Sequence, residues 1–419
     1  MATPRDDVIV VGAGVIGLAC AVALLEAGRR VRVIDAGRIA GGSSHGNCGT
    51  ITPSHAAPLA APGMVARAVK WMATPDAPLY VHPRMDWRLW RWLLGYAGRC
   101  NVRDFEASMR GKSALLNDSR MRIEHWIQQH AIDCEFEASG LDYVYREPRA
   151  FEAMAGALAP LHALGVQAHA IDGTTYRAQD PAMRDSVTGA VRFDGDAVLR
   201  PDRFAAGLAD VLRRAGARID EQVEVTDLRA DADGATLQTP AGVLHAREVV
   251  VATGAWSARM ARAFGIPGIA RAMQPGKGYS ITYPALARAP RRPVVLKERQ
   301  VCVTRWASGF RLGSTMEFSG FDATLNARRL GALERGAREY LHLPDAMPPG
   351  EPWMGWRPMT LDDLPLIGRI APASPVWLAT GHGMMGVSMS AGTGQLVADL
   401  MTGAAPAVDP APYRVERLR

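Results

Sequence analysis

Residues 8–35 read VIVVGAGVIGLACAVALLEAGRRVRVID, and the spacing of Gly12, Gly14 and Gly17 within that run suits the holding of a pyrophosphate. The first glycine supplies a tight turn, the second lets backbone approach the phosphates, and the third lets the next helix pack closely. Val15 and Ile16, between the glycines, open a helix whose unpaired N–H groups and dipole favour negative charge. Asp35, with Ala36 beside it, closes a second strand about 20 residues later. A carboxylate there accepts hydrogen bonds from ribose hydroxyls and repels a 2′-phosphate, which disfavours an NADP-type ribose. The surrounding elements complete the motif's context: residues 8–11 read as a buried parallel strand, 19–27 as an apolar helix ending at Gly28, and 30–34 as the second strand. The motif alone leaves FAD and NAD both open.

A second glycine triplet, Gly381, Gly383 and Gly386, lies in VWLATGHGMMGVSMSAGTGQLVADLMTG at 376–403. It reads as strand, turn and helix, yet no strand with an acid follows it, so it fails as a second nucleotide site. What remains is a helix N-terminus aimed at something negative. In a flavoprotein that is the N1–C2=O edge of the isoalloxazine, where charge collects on two-electron reduction.

Between these ends, the glycine-, serine- and asparagine-rich segment 41–55 cannot form a regular helix, and its backbone donors and small side chains suit contact with a large planar or phosphorylated ligand. The stretch 85–105 mixes Trp87, Trp90 and Trp92 with Arg88 and Arg91 on an amphipathic helix up to Gly95. That pattern fits either tryptophans in the core or an interfacial contact with a membrane. Further along, the sequence predicts a helix over 112–130, a strand over 141–147, a helix capped by Asp202 and ending near Ala215, and a strand over 218–225. A buried strand at 248–252 runs into Thr253, Gly254 and Ala255. Strands over 276–317, a polar helix over 326–340 and a proline-rich connector over 344–352 complete the chain.

Composition limits what surrounds this framework. The 419 residues exceed one ordinary core and predict two interleaved domains. With 48% hydrophobic and 21% charged residues the profile is globular. The net charge of +6 comes mostly from scattered arginines and gives no nucleic-acid footprint, only a mild attraction for anions or membrane surfaces. Five cysteines without CxxC spacing argue against a disulfide framework, structural zinc or an iron–sulfur cluster. An N-terminus without an apolar signal core predicts a cytoplasmic protein, with peripheral attachment to the inner face of the membrane as the variant.

VGAGVIGLACA with Asp35, SSHGNCGTITPSHAAPLAAPG, VVVATGAWS, GKGYSIT, GSTMEFSGFD and GWRPMTLDDLPLIGR followed by ATGHGMMG occur in that order. Together they resemble the D-amino-acid oxidase-like FAD-dependent oxidoreductases, and among them the bacterial D-amino-acid dehydrogenases, over nearly the whole length. The resemblance implies FAD, with no metal. It implies an α/β fold in which a Rossmann-like FAD-binding domain with a central parallel sheet (1–84, 196–275 and 350–419) interleaves with an α+β substrate domain on a mixed or antiparallel sheet (85–195 and 276–349). Dehydrogenases of this group usually carry Glu where Asp35 stands, and a different run where Met384, Met385, Gly386 and Val387 stand.

Carried over by position, Gly12, Gly14 and Gly17 hold the pyrophosphate with Val15 and Ile16. Asp35 and Ala36 hold the ribose, Ser43 and Ser44 the diphosphate or ribityl side, and Val223 the adenine through its backbone. Asn47, Cys48 and Gly49 lie in the flavin loop, Thr253, Gly254 and Trp256 at the third FAD contact. Gly381, His382, Gly383, Met384 and Met385 form the turn whose N–H groups face the flavin.

The resemblance further implies oxidation of a D-amino acid or cyclic imino acid, such as D-proline or a hydroxyproline, by hydride transfer from Cα to flavin N5. Electrons then pass to a quinone or another acceptor other than oxygen. A glycine- or sarcosine-type oxidase releasing hydrogen peroxide, and a flavin-carrying subunit of a larger assembly, are the alternatives. Arg357 in GWRP is the expected carboxylate clamp, since a guanidinium makes two parallel bonds that lysine cannot. Lys277 and Tyr279 alternate on one strand and so share a face of the expected pocket floor. His55 and His382 are the histidines nearest the flavin motifs, candidates for proton transfer; Trp306 and Met316 are expected to wall the side-chain pocket.

Overall fold

Two large β-sheets, a small two-stranded one and the helices around them form the computed structural model, which describes residues 6–418 except 73–75, 164, 232 and 267. The eight-stranded sheet is built on Asp6–Val11. Val8, Ile9 and Val10 are fully buried, and a strand covered on both faces needs an unbroken apolar run instead of alternation. It pairs in parallel with Val31–Ile34 on one side and with Gly242–Val251 on the other. Arg218–Asp220 and Val376–Thr380 extend the parallel core at its two sides. An antiparallel arm of Asp227–Asp231 and Gly234–Thr239, together with Leu366–Arg369, completes the sheet.

The ten-stranded sheet is mixed. Its central strand, Met273–Tyr283, pairs antiparallel with Gly309–Gly313, Met316–Phe318 and, over most of its length, Glu351–Thr360. Val301–Trp306, Val294–Leu296, Leu141–Tyr145, Gly189–Phe193 and Ala168–Asp172 continue it outward. The interleaved α/β architecture expected from the sequence is therefore the one observed. Leu79–Val81 and Glu351–Thr360 come from stretches that the sequence grouped with the nucleotide-binding part, yet their backbones pair into the second sheet. Glu351–Thr360 thus carries the chain from one sheet toward the other.

Local chemistry shifts several helix ends. Pro201–Arg214 starts on proline, whose fixed φ is preorganised for the first helical position, so Arg200 stands at the N-cap and Asp202 in the first turn, accepting from Arg200 Nε at 3.1 Å. Asp202 is therefore not the cap. Val102–His130 begins ten residues before the expected start because the Asn101 side chain caps it, accepting the Asp104 N–H at 3.0 Å. Trp87–Arg99 buries Leu89 and Trp92 and leaves Trp87, Trp90 and Leu94 exposed. Only part of its tryptophan stripe is core.

The helices that follow the two glycine turns, Val15–Glu26 and Gly386–Thr402, pack side by side in the largest core. Both leave a parallel strand of the same sheet, so both N-termini emerge at the same sheet edge. The two distant motifs are brought together by that geometry.

Candidate active site

A cavity of about 1810 Å³ opens where those N-termini meet the second sheet. Gly12, Gly14, Val15, Ile16, Asp35, Ala36 and Val223 line it from the first sheet. The local backbone fits a pyrophosphate. Gly12 has φ +112°, and a Cβ on it would lie 2.5 Å from the Ala252 carbonyl oxygen. Gly17 sits behind the cavity wall, where a Cβ would lie 1.8 Å from the Gly12 carbonyl oxygen, so its role is packing helix on turn. No side chain of Gly14 caps the helix; instead the Val15 N–H donates to Ser44 Oγ at 3.0 Å, leaving the hydroxyl proton for a phosphate.

Asp35 accepts from the Ala13 N–H at 2.6 Å and the Gly37 N–H at 2.7 Å, one on each carboxylate oxygen. Each oxygen keeps a lone pair for a ribose hydroxyl. The Val223 N–H is committed to the Asp35 carbonyl at 2.8 Å, so only the Val223 carbonyl is left for a backbone contact to adenine. Ser43 also departs from expectation: although it lines the cavity, its hydroxyl donates to the Trp356 carbonyl and ties the loop to the second sheet.

Asn47, Cys48 and Ser44 line the cavity, while Gly49 sits behind it and caps no ligand; its N–H donates to Asn47 Oδ1 at 2.8 Å. The loop is held from below by Arg311, a buried residue that donates to the carbonyls of His45 and Asn47 and to Thr282 Oγ at 2.8 Å. Sequence reasoning missed Arg311; its only signal was a charge inside an otherwise apolar strand. Cys302 lies beside Cys48, and its thiol, together with the nearby Arg311 and Arg357 guanidiniums, favours the Cys48 thiolate against the cost of burial.

Thr253, Gly254 and Trp256 also line the cavity. Thr253 Oγ and Ser257 Oγ are 2.8 Å apart, and Ser257 Oγ donates to Thr380 Oγ at 3.0 Å, which joins this turn to the strand before the second glycine turn. Trp256 stacks on Phe321 with ring centroids 4.8 Å apart.

At the second turn, His382, Gly383, Met384 and Met385 line the cavity and Gly381 does not. The amides divide. Gly383 N–H donates to the Pro358 carbonyl at 3.1 Å and Met385 N–H to the His382 carbonyl at 2.9 Å, so those two do not face a ligand. The donors available at this helix start are those of its first turn, Gly386 and Val387, which have no partner four residues back inside the helix. His382 is buried, its Nε2 is 2.9 Å from Thr393 Oγ, and burial pushes its pKa down to about 3. It is a neutral packing residue.

Across the cavity, Arg357 pairs with Gly276 in the ladder and its guanidinium covers Gly278. Cross-strand partners share a face, so Arg357, Gly276 and Gly278 face the cavity, and the intervening Lys277 and Tyr279 point to the other side. Lys277 does not line the cavity: it is fully buried, with Nζ 3.2 Å from Asp322 Oδ2 and 2.5 Å from the Thr324 carbonyl. Tyr279 borders the cavity but packs with Ile281 and Tyr283, and its hydroxyl donates to Glu317 at 3.1 Å. Lys277 and Tyr279 share a face of the strand, as expected, but only Tyr279 borders the cavity. Met316 lines the cavity and Trp306 does not.

Arg357 Nη1 donates to the Thr315 carbonyl at 2.5 Å, and among the described residues it forms no ion pair with a carboxylate. Burial pushes its pKa below the usual arginine value. A partly desolvated cation without a counter-charge is a ready partner for an incoming carboxylate. The lining residues that carry carboxylates, Asp35 and Glu224, belong to the first sheet's side.

A second polar cluster on this wall was not legible in the sequence. Tyr143, Lys297 and His55 all line the cavity. Lys297 Nζ sits 3.9 Å from the Tyr143 ring centroid, and burial lowers its pKa to about 8. His55 is hydrogen-bonded to the Tyr143 hydroxyl through Nε2, and burial with the nearby Lys297 and Lys112 lowers its pKa to about 3.

A family model described as FAD dependent oxidoreductase matches residues 7–400. The chain belongs to that family. It is accordingly an FAD-dependent oxidoreductase, and the first glycine turn, with no side chain at Gly12 or Gly14 and the Ser44 hydroxyl beside it, fits the cofactor's diphosphate. Curated relatives named D-amino acid dehydrogenase include one from Cereibacter sphaeroides, 32% identical over 98% of this chain and 95% of its own. Another, from Methylobacterium nodulans, is 32% identical over 96% of each chain. Among solved structures, glycine oxidase from Geobacillus kaustophilus superimposes with a TM-score of 0.76 at 24% identity, covering 99% of both chains. L-proline dehydrogenase from P. horikoshii gives 0.72 at 19% identity, covering 99% of this chain and 98% of its own. These two likenesses describe the fold of the flavoenzyme.

Proposed function

We propose that this flavoenzyme oxidises the Cα–N bond of a D-amino acid or cyclic imino acid, such as D-proline or a hydroxyproline, to an imine that hydrolyses to the 2-oxo acid. A quinone or another acceptor other than oxygen then takes the electrons. The observation that carries the reading is Arg357: a partly buried guanidinium with no carboxylate partner among the described residues, set in the wall of the family's cofactor cavity. The relatives named D-amino acid dehydrogenase support the substrate class.

In this reading Gly12, Gly14 and Ser44 hold the diphosphate, with the Val15 N–H positioning Ser44, and Asp35 holds the ribose. Met384, Gly386 and Val387 face the flavin. Bound FAD would supply a two-electron acceptor for the hydride that leaves Cα. Arg357 fixes the substrate carboxylate in a bidentate grip, and the rest of the rate comes from holding Cα in line, since positioning alone supplies much of such a barrier. The nucleotide-binding part comprises 1–84, 196–275 and 350–419, with 351–360 crossing into the substrate sheet.

Exposed apolar residues at one rim of the cavity support a lipid-borne acceptor. Val69 and Met72 of Met64–Met72, with Trp90 and Leu94 of Trp87–Arg99, are exposed and also line the cavity, beside Arg67, Arg88 and Arg91. Aromatic and aliphatic side chains mixed with arginine suit the surface of an anionic bilayer. No helix among the described residues is long and apolar enough to cross a membrane. The attachment we propose is peripheral.

The test is anaerobic flavin bleaching against a panel of D- and L-amino acids, imino acids and N-methyl amines. Bleaching by D-amino or imino acids, followed by reoxidation with a soluble quinone, is expected. Bleaching only by glycine or sarcosine, with peroxide released in air, would replace the dehydrogenase reading with an oxidase one. Arg357→Leu should raise KM about 100-fold while FAD stays bound, the scale expected for removing a buried charged partner.

A further inference from the structure

Amino acids reach an active site carrying an ammonium group, and hydride can leave Cα only after that nitrogen regains its lone pair. The Arg357 clamp does nothing about this proton. The cavity wall holds a connected set of polar groups, ending on a buried carboxylate, that can.

Tyr143 stands in the floor of the second sheet. It pairs with Val295, Val295 pairs with Cys302, and Cys302 with Gly313, so these residues face the same side. Gly313 in turn pairs with Ser280, which shares a face with Gly278 beneath the Arg357 guanidinium, so Tyr143 and the carboxylate clamp lie on the same side of the sheet. The Tyr143 hydroxyl hydrogen-bonds His55 Nε2, His55 Nδ1 is 3.4 Å from Ser54 Oγ, and Ser54 Oγ donates to Asp196 Oδ2 at 2.5 Å. Asp196 is buried and does not line the cavity; Oδ1 accepts the Ser54 N–H at 3.1 Å. No ion pair involves Asp196 among the described residues.

We propose that Tyr143, His55, Ser54 and Asp196 form a proton wire that carries the substrate ammonium proton from the cavity wall to the buried Asp196 carboxylate. The proposal rests on the amine-oxidising reading above. The amine N–H bond breaks and leaves its electron pair on nitrogen. The proton reaches the Tyr143 oxygen, directly or through one water, as the tyrosine's own proton passes to His55 Nε2. His55 Nδ1–H gives its proton to Ser54 Oγ, and Ser54 delivers its own to Asp196 Oδ2, making the carboxylic acid. No electrons move along the wire, and one proton enters for each that arrives.

The surrounding charges favour this direction. Burial raises the Asp196 pKa to about 7, so near neutrality the carboxylate can take a proton and give it back. His55 is held neutral by burial, Lys297 and Lys112, which makes it a tautomer relay and not a resting place for the proton. Lys297 above the Tyr143 ring stabilises passing negative charge on the phenol oxygen. The other ionic neighbours are already engaged: Arg120 near Asp196 with Glu124 at 2.6 Å, and Lys112 near His55 with Asp363 at 2.6 Å.

The test uses the FAD-loaded enzyme, with D-proline and D-alanine as reductants of the flavin. In the wild type kcat/KM should rise through pH 7 as Asp196 ionises. In Asp196→Asn the rise should move up to the substrate's own ammonium range, with a loss of about tenfold or more at pH 7 that vanishes at high pH. Tyr143→Phe and Ser54→Ala should behave alike. An unshifted limb, or a loss equal at all pH, would overturn the wire and point to a structural role. A second measurement needs no substrate: infrared difference titration should find a carboxyl band titrating near pH 7, absent in Asp196→Asn and shifted in Tyr143→Phe. A band unmoved by Tyr143→Phe rejects the wire even if other results favour amine oxidation. Failure of every amine to reduce the flavin, with the band behaving as expected, rejects the proposed function instead.

Discussion

Gly278 lies directly beneath the guanidinium of Arg357, so closely that a Cβ on Gly278 would stand 2.4 Å from Arg357 Cζ. The glycine is there to leave room, and the clamp can lie flat on the strand only because position 278 has no side chain. Gly278→Ala is expected to lift Arg357 off the sheet while leaving the ladder intact, since the strand continues on both sides. Steady-state kinetics should show KM raised about tenfold with FAD still bound, and a smaller effect on kcat. Unchanged KM would mean that Arg357 does not hold the substrate carboxylate in this pose.

The fingerprint at Gly12, Gly14 and Gly17 was legible because each glycine answers a constraint within a few residues: a turn, an approach, a packing contact. The second triplet was legible for the same reason, and its failure as a nucleotide site matches a helix whose N-terminus faces a cavity shared with the first. Lys277 shows where such reasoning stops. Alternation along Met273–Tyr283 established that Lys277 and Tyr279 share a face, but which face meets the ligand depends on the register with Glu351–Thr360, some 75 residues later by sequence.

The wall cluster was hidden more completely. Tyr143, Lys297, His55 and Asp196 come from four separate segments joined by sheet order, and no local spacing relates them. Arg311 carried the faintest signal, a charge in an apolar strand, and only the carbonyls of His45 and Asn47 reveal its purpose.

Gly17→Ala should abolish cofactor retention. Its Cβ would overlap the Gly12 carbonyl oxygen at 1.8 Å, so the helix must slide away from the glycine turn at the phosphate end of the cavity. Overpacking of this kind costs about 1–3 kcal/mol, and the displacement falls on the cofactor's diphosphate. The purified variant should emerge from gel filtration without the flavin absorbance of the wild type and with a lower melting temperature. Normal flavin content would show that the diphosphate does not depend on this turn.

The buried histidines make the fold sensitive to acid. His382 is held at a pKa of about 3 in the folded chain against an ordinary 6.5, so the fold prefers its neutral form. That preference is fully present above pH 6.5 and is lost progressively as the pH falls toward 3. By pH 5 the loss from His382 alone amounts to about 2 kcal/mol. Urea midpoints of the wild type should fall between pH 7.5 and 5, and His382→Asn should flatten that slope. A slope unchanged by the substitution would assign the acid sensitivity to other groups.

The exposed apolar rim offers the last test. Trp90 and Leu94 are 48% and 75% exposed on a helix whose opposite side buries Leu89 and Trp92, so they can be changed without opening the core. If the rim meets a bilayer, the wild type should sediment with vesicles containing anionic lipid, and added salt should weaken but not abolish that binding, because apolar insertion persists when charge is screened. Trp90→Ser with Leu94→Glu should cut the bound fraction several-fold while flavin bleaching by a soluble substrate stays at wild-type rate. Reduction of a long-chain quinone embedded in the vesicles should fall together with binding, and reduction of a soluble quinone should not. Equal loss with both quinones would place the damage in the cavity itself, since both residues also line it, and would remove the reason to assign this rim to a membrane.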